Sequence, residues 1–148
     1  MQKVVKHIYK FKFIMIKAHT QLSHHPAGTV ISIDCNLYRH VGMLAEYNTQ
    51  GERLVFAFSA KANGFIEHSI RQFSEGKTVR VDGYFGQLPS HEVMERALQW
   101  KGRPYSLFER NCEHFVRFAH NLAPTSPQLV HAGVALLAWF LLRSAKTA

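Results

Sequence analysis

Residues 110–119, Arg-Asn-Cys-Glu-His-Phe-Val-Arg-Phe-Ala, read as a helix with a single buried side. Asn111 is a strong cap, and Phe115, Ala119 and Leu122 follow Cys112 at three, seven and ten residues, the spacing of one helical face. A chain with such a stripe must supply an apolar surface for it to cover. The stripe starts with a thiol in the first turn, where the positive end of the helix dipole favours the thiolate. Two roles are open to Cys112. It is an activated nucleophile, or a core thiol among phenylalanines, since free cysteine is one of the most buried residue types.

The surface comes from the segments before it. Pro26-Ala27-Gly28 opens the globular part. Thr29–Ile33, Tyr38–Ala45 and Arg53–Ser59 read as strands, rich in β-branched and aromatic residues. Between the last two, Glu46–Glu52 contains Asn48 and Gly51, a hairpin loop. Asn63-Gly64 is a further turn before a short strand at Phe65-Ile66; residues 69–74 form a helical turn, and Thr78–Asp82 alternates as another strand ended by Gly83. A helix then starts with Ser90 as its cap, presents Val93, Met94, Ala97 and Leu98 on one face, and stops near Gly102 and Pro104. Strands first and helices later is the α+β pattern, an antiparallel sheet followed by helices.

The two ends differ from this middle. Residues 1–25 form a basic extension: an added strand, a membrane-touching arm, or upstream sequence if translation starts at Met15. Its apolar run is too short for a secretory signal and lacks a small-residue cleavage site. Leu129–Leu142 is apolar apart from His131, with Arg143 and Lys146 beyond it. A bilayer crossing needs about 20 such residues. The default for the tail is a buried or an interfacial helix, with a short anchor as the other option. The division expected is thus 1–25, a domain over 26–125, and an apolar helix over 126–148.

Eighteen Lys and Arg against ten Asp and Glu give a net charge of +8, which favours anionic partners such as a phospholipid surface. No arginine-rich block or nucleic-acid motif accompanies that charge, and no nucleic-acid partner is expected. Two cysteines, Cys35 and Cys112, make neither a zinc set nor a disulfide framework, so no metal or cofactor is expected. Unpaired thiols suit a reducing, cytoplasmic setting.

A cysteine nucleophile needs a base near it in space. His40 lies on the second strand, in Tyr38-Arg39-His40-Val41-Gly42-Met43, and Gly42 removes bulk from the same strand face. Read by itself it is equally a solvated strand histidine. His114 is closer in sequence but about 200° around the helix from Cys112, pointing away.

Asn111-Cys112-Glu113-His114-Phe115-Val116 resembles the signature of the lecithin:retinol acyltransferase-like family, which includes the HRAS-like suppressor phospholipase/acyltransferases and many bacterial relatives. Gly102-Arg-Pro-Tyr105-Ser-Leu107 resembles the family's approach to that cysteine, and Tyr38–Met43 its histidine strand. Ser59-Ala-Lys-Ala-Asn63-Gly64 and the apolar tail match in order, so the likeness covers roughly residues 26–145. The resemblance implies a circularly permuted papain-like (NlpC-like) fold. It also implies attack of the cysteine on an acyl ester, usually of a phospholipid, with transfer of the acyl chain from the thioester to water, an alcohol or an amine. Carried over by position, Cys112 is the nucleophile, His40 its general base and then acid, and Tyr105 holds a family position near the site where it can make a supporting hydrogen bond. The Cys112 N–H is then an oxyanion donor.

The sequence departs from the family at one point. A second histidine is expected on the strand after His40, where Leu54-Val55-Phe56-Ala57-Phe58-Ser59 has Ala57 in place of a polar residue. Losing the orienting group of a serine triad costs about 10⁴ in rate, and a thiolate depends on it less. His68 on the next strand, or a backbone carbonyl, is the replacement to look for. Three functions follow: a thiol acyltransferase or phospholipase, a peptidase or amidase with the same chemistry, and a catalytically impaired membrane-associated module.

Overall fold

The computed structural model describes residues 22–145. The expectations for the N-terminal extension up to residue 21, and for Lys146, fall outside the described residues. Five strands, β1 (Val30–Asp34), β2 (Arg39–Tyr47), β3 (Arg53–Ser59), β4 (Gly64–Ser69) and β5 (Arg80–Gly83), form one sheet in the order β4-β3-β2-β1-β5. Every neighbouring pair is antiparallel. A short helix α1 (Ile70–Ser74) precedes β5, and α2 (Ser90–Leu98), α3 (Cys112–Ala119) and α4 (Pro127–Ala145) follow the sheet. This is the α+β class.

Local chemistry fixes the connections. Asn48 accepts at Oδ1 from the N–H groups of Gln50 and Glu52, at 2.9 and 2.8 Å, and so closes the β2–β3 loop. Ser69 ends β4 and caps α1 in a reciprocal box: its hydroxyl accepts from Gln72 N–H, and the Gln72 side chain accepts from Ser69 N–H.

Both faces of the sheet are covered, so the strands read as apolar runs rather than as clean alternation. Val30, Val41, Met43, Phe56 and Phe58 point to the side of α2 and α3, where they meet Val93, Ala97, Trp100, Cys112 and Phe115. Ile31, Ile33, Leu44, Val55 and Ala57 point the other way, onto Ile70 and Phe73 of α1 and onto Leu22. Phe115 is fully buried, with ring centroids 5.9, 5.8 and 5.7 Å from Phe58, Phe65 and Trp100.

Several sequence expectations shift. Pro89, not Ser90, is the cap of α2, and it makes no side-chain cap bond. Ser90 is instead the first helical residue and donates to the Ala27 carbonyl at 2.7 Å, a tertiary partner that outcompetes the local one. Leu98 is exposed, off the buried face of Val93, Met94 and Ala97. The helix ends at Leu98, and tighter turns continue through Lys101 before Gly102, at φ +79°, turns the chain. The last strand begins at Arg80 rather than Thr78, and Leu122 lies beyond the end of α3.

The tail forms a helix, but not a buried one. Val130, Val134, Leu136, Leu137, Trp139, Phe140, Leu141 and Leu142 are all at least half exposed. Among the described residues, no helix is long and apolar enough to cross a membrane.

Candidate active site

Cys112 is the first residue of α3, held there by Asn111. The Asn111 carboxamide oxygen accepts from the N–H groups of Glu113 and His114, both at 3.0 Å, while its NH2 donates to the Leu107 carbonyl at 2.8 Å. The cap thus ties the start of the helix to the loop leading into it, and it leaves the Cys112 N–H unused by the cap.

The thiol lies against β2. Its S–H points at the Arg39 carbonyl oxygen at 4.0 Å. Burial pushes the thiol above its ordinary value; backbone hydrogen bonds at Val41, Cys112 and Glu113 pull the other way, and the Glu113 carboxylate adds to the rise. Burial is the largest of these influences, although the first-turn position favours the thiolate. At neutral pH the resting cysteine is a protonated thiol.

His40 is the second residue of β2, paired with Ile33 of β1. Strand alternation puts it on the face of Gly42 and Leu44, opposite Val41 and Met43. Its ring packs on Phe73, centroids 5.3 Å apart at 31°. Gly42 makes that possible, because a Cβ there would come within 3.0 Å of the Phe73 ring, Val55 Cγ1 and the Phe56 carbonyl oxygen. Burial lowers the imidazole to about 4; Glu75 opposes this, and the positive charges of His68 and Lys77 add to it. His40 is neutral in the resting protein at pH 7.

Thiol and imidazole line one cavity of about 880 Å³, which wraps the end of the sheet where β2 begins and β3 ends. Tyr105 and His68 line it as well. No hydrogen bond joins Cys112 to His40 among the described residues. Tyr105 stacks on Phe58 at 5.8 Å and is pushed up to about 12, first by burial and then by the negative charge that Cys112, Tyr38 and Glu113 carry when ionised. It stays a phenol and a donor. His68 pairs with Val55 on the face shared with Ile66, so the structure brings all four sequence candidates to one cavity.

Ala57 is completely buried, opposite Gly42 on one side and Ile66 on the other. Continuing that register by two residues brings Ser59 level with His40, and Ser59 lines the cavity too. Sequence reading missed Ser59 because a one-residue uncertainty in strand register decides which side chain faces which. It also missed Cys35 and Tyr38. Lys77 Nζ donates to the Cys35 thiol at 3.4 Å, and Cys35 shares the cavity with Cys112. Tyr38 is raised mainly by burial, then by the charges of Cys35 and, further down, Cys112, which places it near both thiols. Among the described residues no group of three or more His, Cys, Asp or Glu could hold a metal ion.

His114 points into the protein and not into this cavity, as its helical position implies. It is buried with Nδ1 unpartnered, and burial lowers it while a backbone bond at Glu109 opposes.

The family model described as lecithin retinol acyltransferase matches residues 23–121, about two thirds of the chain. A search of curated proteins finds no match.

Proposed function

The chain belongs to the lecithin retinol acyltransferase family, and from that premise we propose that it is a thiol acyltransferase or phospholipase in which Cys112 forms an acyl thioester and His40 moves the proton. The observation that carries this reading is a thiol at the capped start of α3 in the same cavity as a neutral strand histidine. The apolar wall of that cavity, with Leu37, Phe58, Ile66, Phe73, Leu107 and Leu129, suits an acyl chain, and its volume falls in the range of small-molecule pockets.

The two groups start as thiol and imidazole, not as an ion pair. His40 takes the Cys112 proton as sulfur attacks the ester carbonyl, acting as general base. This requires the ring to leave Phe73 and swing around the start of β2. The Cys112 N–H, free of the cap, and the Tyr105 hydroxyl donate to the oxyanion. Collapse of the tetrahedral intermediate breaks the ester C–O bond, and the leaving alkoxide takes the proton from His40. Water, an alcohol or an amine then attacks the thioester, gives its proton to the imidazole, and Cys112 leaves with that proton. Ser59, level with His40 across the sheet, and His68, which lines the same cavity, are the candidates to orient the ring in the role that Ala57 cannot fill. Residues 26–125 carry the chemistry in this reading, and the exposed α4 meets a membrane surface that presents the phospholipid.

The test is the intact mass of protein incubated with phospholipid vesicles and quenched in acid, beside Cys112→Ala. A long-chain acyl adduct on the wild type alone is expected. Lipid turnover that persists in Cys112→Ala would sink the mechanism. A second reading, an impaired lipid-binding module, is favoured by the raised thiol and the missing Cys112–His40 bond. It predicts vesicle binding with no adduct in either protein.

A further inference from the structure

The cavity wall continues past the residues matched by the family model. Ser126, Gln128, Leu129 and Ala132 line it, and all lie beyond residue 121. Of these, Gln128 makes the most specific contact. The Arg39 N–H donates to its Oε1 at 2.8 Å, and its Nε2 donates to the Arg39 carbonyl oxygen at 3.1 Å.

The ladder explains why Arg39 is open to such a grip. Cys35 N–H donates to the Tyr38 carbonyl at 2.8 Å, so the next pair, Asp34 with Arg39, is a non-hydrogen-bonded one. The N–H and C=O of Arg39 therefore point away from β1, towards the β3 side. On that side the β2–β3 pairing reaches only Gly42 with Ala57. Gln128 occupies the gap and makes the two bonds that a neighbouring strand would make. The carbonyl it holds is the oxygen facing the Cys112 S–H, and the residue after it is His40. Next to the cysteine, Glu113 accepts from the Ser126 hydroxyl and, at 3.4 Å, from the Gln128 N–H. Ser126 is 5% exposed, and its bond to Glu113 is partly buried.

We propose that Gln128 is a positioning residue that holds the Arg39–His40 main chain in place against Cys112, which makes the first turn of α4 part of the active site. The inference rests on Cys112 and His40 being the reacting pair. Without Gln128 the start of β2 loses both bonds on its open edge, and the main chain from which the imidazole must swing to the thiol is held less firmly. A misplacement of about 1 Å at a reacting group can cost as much as 10²-fold in rate.

The experiment compares full-length wild type, Gln128→Ala and Gln128→Met on a monomeric short-chain phosphatidylcholine. Met keeps the bulk that lines the cavity but makes neither bond. A positioning role lowers kcat about 10-fold in both variants with KM within twofold. A role in contacting substrate leaves Met close to wild type and raises KM in Ala, which overturns the proposal, as does a kcat within twofold of wild type in both. The Arg39 amide in wild type gives an independent reading by hydrogen exchange: protection like that of the ladder amides is expected, and free-loop exchange overturns the clamp. If wild type turns over no ester while that amide is protected, the functional reading fails and the clamp stands.

Discussion

The helices α3 and α4 draw on similar residues and end in opposite situations. In α3, apolar side chains recur on one face, and Cys112, Phe115, Val116 and Ala119 are buried against the sheet. In α4, apolar side chains occur all round, and Leu137 and Leu142 are 61% and 67% exposed. The difference is arrangement, not hydrophobicity. A stripe defines a partner surface and a register, whereas an apolar cylinder defines neither; the first turn of α4 reaches the domain through Gln128, which bonds to Arg39 and Glu113.

The largest separation between the two is expected in stability. Phe115→Ala removes a fully buried ring from the middle of an aromatic cluster and is expected to cost about 3–5 kcal/mol. Leu137→Ala is expected to change stability by less than about 0.5 kcal/mol, as an exposed position does. Urea unfolding of the two variants measures both. A Leu137→Ala loss of more than about 1 kcal/mol would mean that α4 buries that face in solution.

Acid sharpens the contrast next. The His40 pKa is about 4 in the fold, below its ordinary 6.5, so between these values the unfolded chain binds the proton and the folded chain does not. Its contribution is full above about pH 6.5 and is lost as pH falls towards 4, about 3 kcal/mol in all. His114 and His120 are lowered too, chiefly by burial, and act in the same direction. Stability measured from pH 7 to 4.5 should fall less steeply in His40→Asn than in wild type. Equal slopes in wild type and His40→Asn would remove His40 from the buried neutral set.

What the sequence made legible was mostly local. The Asn111 cap, the Asn48 loop and the Ser69–Gln72 turn depend on partners within four residues, and each follows from side-chain chemistry alone. The strands were legible because β-branched runs between turn residues have few alternatives. Long-range pairing was not. His40 could be placed on β2, but its contact with Phe73 depends on sheet register and on what α1 brings to that face. His120 shows the same limit. It accepts at Nδ1 from the Gly86 N–H and bonds through Nε2 to the Gly28 carbonyl, joining three segments far apart in the chain. The Nδ1 role makes Nε2 the protonated nitrogen, and nothing near His120 in sequence announces it. The two roles of Cys112 stayed open for a related reason: its helix position is local, whereas the burial that raises the thiol comes from the whole fold.

The smallest effect tests where order at the start of α3 comes from. Asn111→Ala leaves the N–H groups of Glu113 and His114 and the carbonyl of Leu107 without their partner, at an expected cost of about 1–2 kcal/mol. Asn111→Asp separates structure from charge. It keeps the two accepted bonds, and a carboxylate is a favourable group at a helix start. It also sets a negative charge beside the Cys112 thiol, which favours the protonated form. Stability near wild type with slower alkylation of Cys112 at pH 8 is therefore expected for Asp, against lower stability for Ala. If Asp instead alkylates as fast as wild type, the residue acts on Cys112 only by holding the helix. The reactivity of the thiol would then be set by burial and by the β2 main chain that Gln128 holds.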